Sequence, residues 1–394
     1  MNGNILASDI QNFIEKHLKS DINSLILKGS PFQDVSIQEL ANQIIAKEKS
    51  EKKLPTWFGT TNIYYPPKIS IEQCSSEITA SYKAQLVEGT SLIDLTGGFG
   101  VDVHFFAKKF QRVVHCEINE ALAATVAHNN KILKNTGVTC FAGDGLEFLK
   151  NSVENFDVIY IDPSRRHDVK GKVFLLKDCL PNVPENLDFL FEKAATIVLK
   201  NSPLLDIQSC SNELKFIKEI HVVALKSEVK ELLFILEKNY TGSVSVKTVN
   251  LGVTPEQHFD FTLGASPIVE YSAPKQFLYE PNAAVLKSGG FQEVAAQYKL
   301  SKLHKHSHLY TSEELIAHFP GRIFEVEESF KYNKKLVKKQ FPEKKANIAI
   351  RNFPKSVAQL RKETQIKDGG DIYAFFTTNV ENEKISIRCK KILL

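Results

Sequence analysis

The chain has 394 residues, 43% of them hydrophobic and 24% charged, with a formal net charge of +4. This length exceeds one ordinary core and implies roughly two to four domains, while the composition excludes a disordered chain and no run approaches the ~20 apolar residues of a membrane helix. Six scattered cysteines with no CxxC pair indicate neither a zinc knuckle nor a disulfide framework, and the first segment, broken by Asp9, Glu15, Lys16 and Lys19, lacks a signal-peptide pattern, so a cytoplasmic location is expected.

Residues 1–61 read as an N-terminal helical domain. Ser36-Ile37-Gln38-Glu39 is a capping-box pattern, and Ile37, Leu40, Ile44 and Ile45 then fall on one helical stripe. Tyr64-Tyr65-Pro66-Pro67 breaks regularity as a linker. Ser75, Ser76, Glu77, Thr79 and Lys83 predict an amphipathic helix just before the first strand. Over 62–265, strands are predicted at 91–96, 112–117, 138–142, 156–161, 196–200, 219–225 and 244–251. Helices are predicted at 101–110, 120–134, 145–150, 210–218 and 229–239. The alternation implies a doubly wound, mainly parallel α/β sheet, Rossmann-like in plan. Beyond 265 the pattern becomes α+β, with helices predicted at 291–298, 312–318, 331–340 and 356–364 and strands at 322–326, 346–352 and 372–377.

The sharpest local signal is Leu92-Ile93-Asp94-Leu95-Thr96-Gly97-Gly98-Phe99-Gly100-Val101-Asp102, an apolar strand running into a glycine-rich turn that opens a helix. Glycine lets such a turn tighten and brings backbone close to a ligand. The next strand ends at Glu117, where a carboxylate can accept both hydroxyls of a ribose. The third ends in Ala142-Gly143-Asp144, a place suited to an adenine amine, and the fourth in Asp162-Pro163-Ser164-Arg165-Arg166. Four successive strands thus deliver polar groups to the carboxyl edge of the sheet, where open α/β sheets bind ligands. Position 103 is valine, against a dinucleotide fingerprint, and no lysine-hydroxyl pair follows the turn, against a P-loop.

This order resembles the class I S-adenosylmethionine-dependent methyltransferases. The resemblance implies S-adenosyl-L-methionine as cofactor, bound at Thr96, Gly97, Gly98 and Gly100, with Gly98 and Gly100 approaching its methionine part and Asp94 anchoring its ammonium. It places Glu117 on the ribose, Asp144 on the adenine, and Glu77 at the methionine end. Thr96 stands where many members carry the first glycine of GxGxG. Further segments, Ser70 to Ala80, Tyr279-Glu280-Pro281-Asn282-Ala283-Ala284 and Arg351-Asn352-Phe353-Pro354, resemble the bacterial methyltransferases with a THUMP-like C-terminal domain. That family implies a helical domain at 1–61, the methyltransferase domain at 62–265, a ferredoxin-like segment at 266–320 and a THUMP-like basic domain at 321–394, and it points to an RNA partner.

Asp162, Pro163 and Ser164 are the catalytic candidates: proline fixes the backbone, and Asp162 can hydrogen-bond an acceptor amine and stabilise its developing charge. The motif resembles the Asp-Pro-Pro-aromatic signature of amine-directed nucleic-acid methyltransferases and departs from it at Ser164 and Arg165. Arg165 and Arg166 can grip a phosphate or stack on a base. Lys200-Asn201-Ser202-Pro203 is a candidate lining of the acceptor pocket. No cysteine lies in or beside the 162–166 loop, which disfavours methylation at carbon 5 of a pyrimidine.

Residues 331–367 hold twelve Lys/Arg against two Asp/Glu, a local charge of +10 on a body that sums to −6. Lys334, Lys335, Lys338 and Lys339 share one helical face, read as an RNA-docking surface. His304, His306 and His308 alternate with Lys305 and Ser307 and on a strand would share one face, but the flanking lysine and the lack of a neighbouring acid or thiol ligand argue against a metal. The leading reading is methyl transfer to a base nitrogen of RNA, an exocyclic amine among the options. The alternatives are a methyltransferase acting on a protein or small molecule, and a catalytically inactive RNA-binding protein.

Overall fold

The computed structural model describes residues 1–165 and 175–393 and divides into two units, Met1–Lys218 with Leu232–Gly242 and Glu219–Glu231 with Ser243–Leu394. No helix among the described residues is long and apolar enough to cross a membrane.

The first unit opens with helices α1 (Ser8–Lys16), α2 (Ile22–Lys28), α3 (Ile37–Lys53) and α4 (Pro55–Gly59). The capping box forms as predicted: Ser36 Oγ accepts from the Glu39 amide at 3.2 Å, and Glu39 Oε2 accepts from the Ser36 amide at 2.9 Å. Ile5, Ile10, Ile14, Leu25, Leu40 and Ile44 close a small core of their own. Helices α5 (Lys68–Gln73) and α6 (Glu77–Ala84) then lead into β1 (Ser91–Asp94).

Strand and helix alternate through α7 (Val101–Phe106), β2 (Arg112–Glu117), α8 (Glu120–Ile132), β3 (Val138–Ala142), α9 (Gly145–Asn151) and β4 (Phe156–Ile161). Two short strands, β5 (Ser164–Arg165) and β6 (Cys179–Leu180), pair antiparallel. Helix α10 (Val183–Lys193), β7 (Ala194–Asn201) and α11 (Ile207–Glu213) follow, then β8 (Ile217–Leu225) and β9 (Glu228–Glu237). Within this unit the strand order is β3-β2-β1-β4-β7-β9, parallel throughout except β9, which runs antiparallel to β7. The register sets Asp94 beside His115 and Tyr160 and Glu117 beside Ala142, so the predicted tips share one edge.

Two predictions fail in this unit. The helix over 229–239 is the strand β9: Leu232 to Leu236 are all buried, and an apolar run covered on both faces carries no period to tell strand from helix. Helix α10 was missed although Val183, Leu187, Leu190 and Phe191, its buried residues, keep helical spacing and Asn182 caps it.

In the second unit, β8 from Glu219 onward pairs parallel with β10 (Ser245–Leu251), which pairs antiparallel with β11 (Gln257–Thr262). Then come β12 (Phe277–Pro281), α12 (Ala283–Ser288), α13 (Phe291–Gln297), β13 (Ser301–Lys302), β14 (Tyr310–Ser312) and β15 (Gly321–Lys331). Helix α14 (Lys334–Gln340), β16 (Asn347–Ile350), α15 (Val357–Thr364), β17 (Ile372–Thr378) and β18 (Lys384–Ile392) complete it. They build a seven-stranded sheet ordered β13-β14-β12-β15-β18-β17-β16. The helix predicted over 312–318 is absent. The hydroxyl of buried Tyr279 bonds Ser312 Oγ at 2.9 Å, donates to the Glu314 carbonyl at 3.0 Å and accepts from the Ile316 amide at 2.9 Å, holding that stretch as a loop. The histidine run forms no strand: His304 Nε2 bonds Asn382 at 3.0 Å, and its Nδ1 lies 3.0 Å from Asn352 Nδ2 and accepts the His306 amide at 3.1 Å.

Candidate active site

Between β1 and α7 the backbone needs left-handed residues, with φ +54° at Gly98 and +75° at Gly100. A Cβ on Gly97 would sit 2.2 Å from the His115 ring and one on Gly100 would sit 2.7 Å from Val126 Cγ1. One on Gly98 would meet nothing nearer than the Thr96 carbonyl at 3.9 Å. Two glycines therefore let the turn settle onto β2 and α8, and the third leaves its outer backbone face open to a ligand. His115 Nε2 bonds the Gly98 carbonyl at 3.2 Å, and burial pulls the imidazole below its usual pKa, keeping it neutral under the turn. Glu117 stands beside the open face, its Oε2 accepting the Gly98 amide at 3.0 Å and its Oε1 the Asn119 amide at 2.8 Å.

Asp94 is 1% exposed and accepts the Thr96 amide at 2.9 Å and the Thr96 hydroxyl at 3.3 Å. Thr96 Oγ1 in turn accepts the Asp162 amide at 2.7 Å. The residue that replaces a family glycine is thus the link between the β1 acid and the β4 loop, a bond glycine lacks the atom to make. Burial, then the charges of Asp102 and Asp162, push the Asp94 carboxyl well above the usual carboxylate range. Asp144 is exposed and caps α9, its Oδ1 accepting from Leu146 at 2.8 Å and Glu147 at 3.0 Å. With Phe141 and Phe148 it lines a shallow cavity of about 350 Å³. Ile118, next after Glu117, is 73% exposed.

At the end of β4, Asp162 Oδ2 is ion-paired with Lys200 Nζ, so β7 does deliver the predicted lysine to this loop. Sequence reasoning missed the group beneath. Asp102, in the first turn of α7, accepts Ser75 Oγ and Tyr160 OH at 2.9 Å each, and fully buried Lys83 lies 3.2 Å from its Oδ1. Burial alone would raise the Asp102 carboxyl, but Lys83, Lys200 and the two hydroxyls outweigh it and hold it below the usual range. The signal was a lysine on the α6 face that also carries Thr79, Ala80 and Ala84 into the interior: a buried ammonium requires a carboxylate. Cys74, far from the loop in sequence, lies close enough to Lys53, Asp102, Lys200 and Lys83 to feel their charges. Burial pushes its thiol up to about 11, so it is no thiolate nucleophile.

Glu77, placed at the cofactor from sequence, is engaged elsewhere: Oε1 accepts the Thr56 amide at 2.6 Å and Oε2 the Thr56 hydroxyl at 2.7 Å, tying α6 to α4. Ser164 is exposed and pairs with Leu180, and the Arg165 backbone pairs with Cys179. Arg166 lies outside the described residues.

In the second unit Lys334, Lys335 and Lys339 on α14 are exposed and Lys338 half-buried. Among the described residues none of the four has a carboxylate within ion-pair distance, whereas Lys331, Arg351, Lys355 and Arg361 pair with Glu383, Glu280, Glu363 and Asp368. Phe330, Tyr332, Phe341 and Phe353 pack into a core around Val337, Leu360 and Phe376.

A family model described as a ferredoxin-like domain matches residues 277–320, and one described as THUMP domain-like matches 321–391. Among solved structures, the chain is similar to a candidate methyltransferase from Porphyromonas gingivalis W83, with 32% identity, 99% of this chain and 98% of that one covered, and a TM-score of 0.90. An rRNA methylase from Streptococcus thermophilus is 12% identical over 42% of this chain and 98% of its own, with a TM-score of 0.32. TrmK of M. capricolum, in complex with S-adenosyl-homocysteine, is 17% identical over 41% of this chain and 68% of its own, with a TM-score of 0.31. No curated protein matches the sequence.

Proposed function

Since the chain belongs to the S-adenosylmethionine-dependent methyltransferases with a THUMP-like C-terminal domain, we propose that it methylates a base nitrogen of RNA at the Asp162 loop. The observation that carries this reading is the shared sheet edge. The open backbone over Gly98, the buried Asp94 carboxyl and the Glu117 carboxylate stand beside a polar Asp162–Lys200 pair.

S-adenosylmethionine supplies a methyl group on a positively charged sulfur. The residues fit such a ligand. Asp94, buried and with no cation within ion-pair distance among the described residues, suits the ammonium of its amino-acid end. Glu117 retains lone pairs for two ribose hydroxyls, exposed Ile118 offers an apolar face for an adenine ring, and Asp144 keeps Oδ2 for an amine. Thr96 fixes the Asp162 backbone, so the acceptor group starts from a set position; methyl transfer by direct displacement depends chiefly on such alignment. Asp162 accepts a hydrogen bond from the acceptor amine and stabilises its positive charge as the bond forms. Pro163 and Ser164 continue the loop after Asp162, and the α14 lysines attract the phosphate backbone. Both the THUMP-like match and those four lysines support RNA over a small-molecule substrate.

Comparing nucleosides by mass spectrometry in cells with and without the protein tests the proposal: one methylated nucleoside should vanish. Asp162→Ala should abolish that product while S-adenosyl-homocysteine still binds within about threefold of wild type. An Asp162→Ala protein that restores the product retires the catalytic assignment.

A further inference from the structure

The Asp162–Lys200 pair has an order that a base edge can read. Lys200 Nζ donates to Asp162 Oδ2, and among the described residues Oδ1 has no protein partner. The Asp162 side chain is 35% exposed and that of Lys200 13%, so both are accessible from solvent. Side by side they present a donor, an acceptor and a second acceptor.

We propose that this array selects guanine, with Lys200 as the specificity-determining residue and the exocyclic N2 as the methylated atom. This rests on the RNA-base reading above. The Watson–Crick edge of guanine carries O6, N1–H and N2–H in sequence, an acceptor and two donors, which the Lys200 ammonium, Oδ2 and Oδ1 complement one for one. Adenine offers only a donor and an acceptor on that edge and leaves one carboxylate oxygen unpaired. Cytosine, read in either direction, sets at least one acceptor against a carboxylate oxygen, and uracil sets its second carbonyl against Oδ1. A desolvated acceptor facing an acceptor is costly, so the array discriminates by repulsion as well as attraction. N2 is also the guanine atom at the Oδ1 end, away from the lysine charge that would oppose a nitrogen turning cationic. In the transfer the N2 lone pair bonds to the methyl carbon, the carbon–sulfur pair stays on sulfur to give S-adenosyl-homocysteine, and one N2 proton leaves through Asp162 to solvent.

The test incubates the full chain with RNA from cells lacking it and S-adenosylmethionine carrying a deuterated methyl, then identifies labelled nucleosides. The expected product is N2-methylguanosine. Lys200→Met should lower kcat/KM for guanine by roughly 100-fold or more, leave S-adenosyl-homocysteine affinity within twofold, and spread label onto other bases. Lys200→Arg should recover part of the rate, since a guanidinium still donates to O6. A residue that only supported the fold would change rate without changing base choice. Label on adenine, cytosine or uracil in the wild type, or unaltered base choice in Lys200→Met, overturns the guanine assignment and leaves RNA methylation standing. No label on any nucleoside, with S-adenosyl-homocysteine still bound, overturns the RNA reading and this one with it.

Discussion

At the scale of single residues the chemistry turns on where charge is buried. Asp94 keeps its proton to higher pH than an ordinary aspartate because burial, then Asp102 and Asp162, disfavour its anion. An incoming ammonium favours that anion, so cofactor binding should release a proton. Affinity should therefore rise with pH until Asp94 is ionised in the free protein. Titration calorimetry in buffers of different ionisation enthalpy should show this release, and Asp94→Asn should remove it while weakening binding roughly 30-fold or more. His104, packed edge-on at 4.9 Å from Trp57, has its pKa lowered to about 4 by burial and then by Lys108. As pH falls from 7 to 5 the unfolded imidazole takes a proton that the folded one refuses, so stability is present at neutral pH and lost on acidification. That single group contributes about 2 kcal/mol of loss over this range. In His104→Asn the slope of unfolding free energy against pH should flatten by that amount; an unchanged slope would show that other groups set it.

Individual elements hold the site by close fit rather than by propensity. The Gly97 turn lies directly on the His115 ring, 2.2 Å from where a Cβ would be. Gly97→Ala must therefore displace a buried imidazole and its bond to the Gly98 carbonyl, at a cost of about 1–3 kcal/mol. The expected result is a lower midpoint in urea together with weaker cofactor binding, because the same turn carries Gly98. Elements also explain which predictions went astray. The capping box at Ser36 and the helix before β1 were legible because caps and amphipathic faces are local. Strand β9 was not, since Leu232 to Leu236 are buried on both sides and only the neighbouring strand decides the backbone. The loop over 312–318 was equally hidden, because its partner is the hydroxyl of Tyr279, more than thirty positions earlier.

Across the whole molecule, charge is segregated. The body carries a net −6 and residues 331–367 a net +10, and among the described residues the four α14 lysines have no carboxylate within ion-pair distance, while Lys331, Arg351, Lys355 and Arg361 are paired. Filter binding of RNA at rising salt should give a steep linear loss of log affinity. Replacing Lys334, Lys335, Lys338 and Lys339 by Gln should flatten that slope by roughly three to four and leave S-adenosyl-homocysteine binding unchanged. A slope that does not move would assign RNA docking to another surface.

The sequence by itself determined the alternating strands and helices, the family, and the acids at four strand tips, because apolar period, glycine turns and terminal carboxylates are written along the chain. It did not determine the Lys83–Asp102–Ser75–Tyr160 group, the Thr96 bond to Asp162, or the engagement of Glu77 by Thr56. Those are partners from distant segments, and only packing against the folded sheet decides which buried charge meets which. A residue type shows that a partner is needed; tertiary structure alone supplies it.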